Sequence, residues 1–248
     1  MRKGFGIILL LIAVFAGGNT LAIGASVNFS DGTFNDSDWA ITVLGAGNGG
    51  TATASQVLSG GNPGSFRQIT EIVNAAPNGS SESVVLAFNE KLGATFNPGT
   101  TGAISSIDYS EDAMSTGQGF APAFIQGGTI YVYDLLGTAP STWTSETEPG
   151  LTAGTFVSSS AFGVSGGPVT NPDFSTAGAP LTFGFVRTTA SGNGGGGFAT
   201  IGGIDNWSLT VNYNPSAVAV PLPSSVWGGS ALIGGLCLAA AARRRFSF

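Results

Sequence analysis

The sequence contains no histidine and one cysteine in 248 residues. Without histidine the usual serine or cysteine hydrolase triads, His-ligated zinc and imidazole acid–base chemistry have no residues to run on. The cysteine, Cys237, lies in an apolar run near the carboxyl end, so no disulfide can close within the rest of the chain. Positive charge is almost as scarce. There are 8 Lys and Arg against 14 Asp and Glu, and only Arg67, Lys91 and Arg187 lie between the terminal segments, where all 14 acids are found. That stretch therefore carries a net charge of −11. Binding nucleic acid or an anionic lipid surface needs clustered cations, so both are set aside as partners. A sustained 3.6-residue apolar period is also missing outside the termini, as is any regular internal repeat of the kind a parallel β-helix would need.

What is present reads as strand and turn. Segments rich in Val, Ile, Thr, Phe and Tyr, many bounded by Gly, Pro, Asn or Ser, are predicted as strands. They cover 26–29, 39–44, 51–58, 66–73, 83–88, 102–109, 123–125, 129–135, 152–157, 181–188 and 204–212. Alternation sorts some of them by face: Phe183 with Phe185, and Trp207 with Leu209 and Val211, form one-sided sets. In 66–73 both faces are mixed, with Phe66, Gln68, Thr70 and Ile72 on one and Arg67, Ile69, Glu71 and Val73 on the other. With 40 glycines as turn formers, the expected class is all-β, an antiparallel β-sandwich most like a jelly roll. One domain is expected over 26–213, followed by a linker over 214–219. At about 190 residues it is long enough to bury a core without covalent staples.

The two ends differ from this body. Residues 1–25 have the outline of a secretory signal peptide: Arg2 and Lys3, an apolar stretch from Phe5 to Ala16, then small residues with cleavage after Ala22 or Ala25. Such a segment implies passage through the Sec translocon. At the other end Val220, Pro221, Leu222 and Pro223 precede an apolar run over 226–242, and Arg243, Arg244 and Arg245 follow it. As a helix that run is roughly 25 Å long, near the lower limit for a single transmembrane helix. The arginines should hold its far end in the cytoplasm.

A Pro-x-Pro box, an apolar helix and a terminal arginine cluster over 220–248 resemble the PEP-CTERM sorting signal of bacteria. Leu222 stands where that signal carries its glutamate. The resemblance implies a protein that is exported, held by its C-terminal helix, and processed by an exosortase-type membrane protease, often in strains that make extracellular polysaccharide. Its destination is then the envelope surface or the extracellular space. Within the tail, Ala231, Gly235 and Ala239 give the span a small-residue face suited to close helix packing.

Candidate chemistry in the body is sparse. Phe29-Ser30-Asp31-Gly32 near its start and Asp205-Asn206-Trp207 near its end resemble the concanavalin-like and carbohydrate-binding jelly rolls of secreted bacterial proteins. In those modules the first and last strands are neighbours and an Asp from each can hold a structural calcium, which nominates Asp31 and Asp205. Independently, Asp31, Asn35, Asp36 and Asp38 offer hard oxygen ligands within eight residues, although Asp and Asn also build turns.

A glycosidase would need two carboxylates facing a cleft. Glu146 and Glu148 would share a strand face, but they precede Pro149-Gly150 and read as loop; Glu111 and Asp112 would point to opposite faces if extended. Gly45 to Gly50 matches a dinucleotide fingerprint in form, yet no helix start follows it, and a hairpin turn accounts for it. Among the aromatic side chains Trp39, Tyr109, Tyr131, Tyr133 and Trp143, the last sits in the most polar surroundings and is the candidate sugar platform, while Trp39 and Trp207 are expected in the core. The expected function is a non-enzymatic surface or matrix protein with a structural, adhesive or glycan-binding role. The alternative is a secreted carbohydrate-active hydrolase using paired carboxylates.

Overall fold

The computed structural model describes residues 24–216. The expected signal peptide except for its last two residues, the expected sorting motif of Val220 to Pro223 with Arg243 to Arg245, and the expected transmembrane helix over 226–242 lie outside the described residues. Among those described, no helix is long and apolar enough to cross a membrane.

Among the described residues thirteen strands follow one another with one four-residue α-helix, α1 (Pro98–Thr101). They are β1 (Ala25–Asp31), β2 (Trp39–Ala46), β3 (Gly50–Gly61), β4 (Gly64–Val73), β5 (Ser83–Phe96), β6 (Gly102–Ser115) and β7 (Gly119–Gln126). Then come β8 (Thr129–Tyr133), β9 (Gly137–Thr138), β10 (Thr144–Leu151), β11 (Phe156–Ser158), β12 (Leu181–Ser191) and β13 (Phe198–Pro215). Every pairing is antiparallel, and the strands divide into two sheets, an antiparallel β-sandwich.

The first sheet has the order β10-β6-β13-β4-β3, with β1 added alongside β13. β13 is long enough to take two partners on one side: β4 from Phe198 to Ile204, and β1 from Trp207 to Tyr213. Between them Asn206, at φ 49°, takes up a β-bulge, so Asp205 and Trp207 turn to opposite faces. The second sheet runs β11-β8-β7-β12-β5-β2, with β9 on β7.

The inner faces meet in an aromatic core. Trp39 packs edge-on against Trp207 at 5.3 Å and Phe185 at 5.4 Å, and Phe34 stacks on it at 5.5 Å. Farther along the interior, Phe124 meets Phe156 at 4.8 Å, with Phe174 and Phe183 beside it. Charged groups lie between the sheets as well. Arg187 and Glu111 are both fully excluded from solvent and joined at 2.9 Å. Arg67 donates from Nε to Asn89 and from Nη1 to Asp36, and Thr189 donates to Glu71. A buried charge is tolerated only when paired in this way.

Several boundaries differ from the sequence reading. Residues 144–151 form a strand where a loop was expected, because β10 is a sheet edge and carries Glu146, Glu148 and Pro149 instead of an apolar alternation. The predicted strand over 152–157 is a 3₁₀ turn at Ala153–Thr155 followed by β11. β5 continues to Phe96, and β13 continues through Asn214 and Pro215, which pair with Ala103 and Gly102 where a linker was expected. In β4 the two faces are sorted: Arg67, Ile69, Glu71 and Val73 all point inward and are buried. The glycine segment at 45–50, expected as a hairpin turn, is instead a tight turn that carries the chain from β2 in the second sheet to β3 in the first, with Gly47 and Gly49 at positive φ.

Candidate functional site

The pairing of β10 with β6, Thr144 opposite Ala113 and Ser145 opposite Asp112, fixes where the preceding residue falls. Trp143 thereby lies against the outer face of the first sheet, over Gly203 of β13. A Cβ on Gly203 would come within 2.7 Å of its Cη2, so only glycine leaves room for the ring there. Phe66 of β4 meets the indole edge-on at 5.3 Å, and Nε1 donates to the Gly60 carbonyl at 2.9 Å. Trp143 is half-buried, held by the β3–β4 hairpin despite the polar sequence around it.

Beside the ring lies a polar cluster built from four segments. Asp205 and Asp112 are register partners on β13 and β6. Asp205 accepts from the backbone amides of Asn62 at 2.5 Å and Asn206 at 2.7 Å. Asp112 accepts from Asn62 Nδ2 at 3.2 Å, from Asn206 Nδ2 at 2.6 Å and from the Ser145 hydroxyl. Burial pushes the Asp205 carboxyl up; the Asn62 and Asn206 amides pull it down, and the charge of Asp112 adds to the rise. The arrangement pins the hairpin to the sheet and leaves carboxylates and amides next to an indole ring.

From Trp143 the outer face continues along β4 and β13. Gln68 and Thr70 are half-buried there, while Ile72 and Ile201 remain 49% and 46% exposed. On β3, Thr51, Thr53 and Ser55 are exposed on the same side.

The other sequence candidates fall elsewhere. Asp31 does not join Asp205: it turns to Lys91 Nζ at 2.6 Å and the Trp39 indole at 2.9 Å, and its second oxygen accepts from the amides of Thr33 and Phe34. Burial alone would raise this carboxyl, but Lys91 and these donors outweigh it and hold it well below the usual carboxylate range. A calcium shared by Asp31 and Asp205 would have to displace Lys91 from the first. Among the described residues no group of three or more acidic side chains converges as a metal site.

Glu146 and Glu148 are half-buried on β10, opposite Glu111 and Tyr109, and Tyr133 donates to Glu148 at 3.4 Å. Glu111 and Asp112 do face opposite ways, and Glu111 is an interior ion-pair partner of Arg187. Tyr109, Tyr131 and Tyr133 are buried, as are Trp39 and Trp207. A cleft of about 480 Å³ on the outer side of the second sheet is lined by Thr42, Leu44, Ser159, Ser165 and their neighbours. It contains no aromatic ring, and of Trp39, Tyr109, Tyr131, Tyr133 and Trp143 the last is the one that is not buried.

Sequence reasoning missed Phe66 and Asn62 as site residues, weighed Asp112 only beside Glu111 for hydrolysis, and met Asn206 only as part of a motif. Only Asp205-Asn206-Trp207 carried a signal, and it pointed to a different partner.

No protein-family model matches the sequence, and no curated protein matches it. Among solved structures, the chain is similar to a family 11 carbohydrate-binding module from Clostridium thermocellum in complex with a β-1,3-1,4-mixed-linked tetrasaccharide. That likeness has a TM-score of 0.41 and 12% identity, covering 73% of this chain and 94% of that one. The family 11 module of the cellulosomal cellulase Lic26A-Cel5E of Clostridium thermocellum gives a TM-score of 0.42 and 12% identity over 75% of this chain and 95% of that one. TmCBM61 in complex with β-1,4-galactotriose gives 0.33 and 9% over 71% and 89%. These are likenesses of chain path alone.

Proposed function

We propose that the domain is an exported, non-enzymatic, jelly-roll-like β-sandwich that binds glycan at the cell surface or in the extracellular matrix, in an adhesive or structural role. The observation that carries this reading is Trp143, held half-exposed on an open sheet face beside Asn62, Asp112 and Asn206. An indole covers the apolar face of a sugar ring while neighbouring amides and carboxylates take its hydroxyls. Of the carboxylates weighed for a hydrolase, Glu111 is engaged by Arg187, and Asp112 by Asn62, Asn206 and Ser145. Delivery rests on the sequence of the ends: a signal peptide read by the Sec translocon, and a PEP-CTERM-like tail that anchors the chain by its helix until an exosortase-type protease reads Val220 to Pro223.

Retention of the protein on its host's extracellular polysaccharide tests the binding. It is expected to fall with Trp143→Ala, and no reducing sugar should be released during the assay; unchanged retention refutes the assignment, and sugar release favours a hydrolase. For delivery, mass spectrometry of the mature protein should find both ends trimmed, and Pro221→Ala with Pro223→Ala should leave the tail attached.

A further inference from the structure

We infer that the glycan taken by the Trp143 face is uncharged, an inference that rests on the glycan-binding reading above. Every cationic side chain among the described residues is already committed. Arg187 is paired with Glu111 in the interior, and Arg67, whose side chain is 3% exposed, is paired with Asp36. Lys91 bridges Asp31 at 2.6 Å and Asp38 at 3.5 Å. None of the three approaches Trp143 in its hydrogen bonding. A sugar carboxylate or sulfate on this face would give up hydration with no cation to replace it, and it would meet Asp112 and Asp205 of its own sign.

An uncharged chain meets a matching surface. Gln68, Thr70 and Ile201 continue from Trp143 toward Ile72 without a formal charge, alternating hydrogen-bonding and apolar groups. At about 3.3 Å per strand residue the distance from Gly203 to Ala199, opposite Ile72, is roughly 13 Å, room for a short run of sugar rings lying along the strands. Asp112 is 7% and Asp205 0% exposed, so their charge lies beneath the contact surface, where it repels an anion from below.

The test is affinity gel electrophoresis of the purified full chain in soluble neutral polymers (dextran, xylan, galactan, hydroxyethylcellulose) and anionic ones (alginate, polygalacturonate, heparin), at low and high salt. The expected result is retardation by at least one neutral polymer, insensitive to salt and weakened about tenfold or more by Trp143→Ala. Ile201→Lys places a cation on an exposed position that does not support the fold. It should weaken neutral binding and introduce salt-sensitive retardation by alginate. Trp143-dependent retardation of the unaltered chain by an anionic polymer would overturn the charge inference and leave glycan binding standing. Retardation by neither class would overturn the glycan-binding reading itself.

Discussion

Arg187 Nη2 lies 2.9 Å from Glu111 Oε1, and neither side chain reaches solvent. The Tyr109 hydroxyl donates to the same carboxylate, and the guanidinium sits over the Phe185 ring at 5.0 Å. Burial pushes the Glu111 carboxyl up while Arg187 pulls it back, so the pair is held together by the cost of separating it. Arg187→Met should lower unfolding free energy by about 3–5 kcal/mol, because it strands Glu111. Adding Glu111→Leu to that variant should recover most of the loss. Denaturant titration of the two variants checks both statements.

Glu71 sets the behaviour on the alkaline side. Burial lifts its carboxyl from 4.5 to about 7, against the opposing pull of Thr189 and the Arg187 charge. The folded state therefore holds this proton more tightly than the unfolded chain does. Stability contributed by the group is present below pH 4.5 and is lost as pH rises through about 7, by roughly 3 kcal/mol in all. Melting temperature should rise as pH is lowered across that window, and Glu71→Gln should flatten the slope.

Asp31 works in the opposite direction. Its depressed carboxyl contributes stability above its ordinary value of 3.8, lost as pH falls below it. Lys91→Met removes the donor at 2.6 Å and should cost about 2 kcal/mol at neutral pH. It should also move the acid unfolding midpoint upward. Together with Glu71 this places maximal stability between the two windows, in mildly acidic solution.

Gly203 separates the site from the fold. With a Cβ at 2.7 Å from Trp143 and 3.0 Å from Phe66, Gly203→Ala forces the outer rings to shift while the inner face of β13 is untouched. Polysaccharide binding should drop several-fold for a stability loss of about 1 kcal/mol. Affinity electrophoresis alongside thermal melting distinguishes the two effects, and binding at full strength would show that the ring's placement is immaterial.

The sandwich was legible because long strands such as β12 and β13 advertise themselves by one-sided apolar alternation. β10 was not, because an edge strand protects itself with Glu146, Glu148 and Pro149, the same residues that mark a loop. The faces of β4 looked equally mixed because sequence cannot say that Arg67 and Glu71 will find Asn89 and Thr189 inside the sandwich. At the candidate site Trp143 and Asp205 were both singled out, for unrelated reasons. Their meeting depends on register between β10, β6 and β13, set by pairings far apart along the chain. Asp31 was joined to Asp205 on strand adjacency that does exist, since it pairs with Trp207, but the bulge at Asn206 turns Asp205 away.

β13, the middle strand of its sheet, is also the last of the described strands to be made. β1 has no other partner, and the β3–β4 and β10–β6 pairs cannot join into one sheet until β13 emerges between them. Delayed closure of this kind makes for slow folding, because the decisive contacts join residues at opposite ends of the polypeptide. A chain halted anywhere before Phe198 would lack its keystone, and the half-built sheet would stay open for another machine to handle.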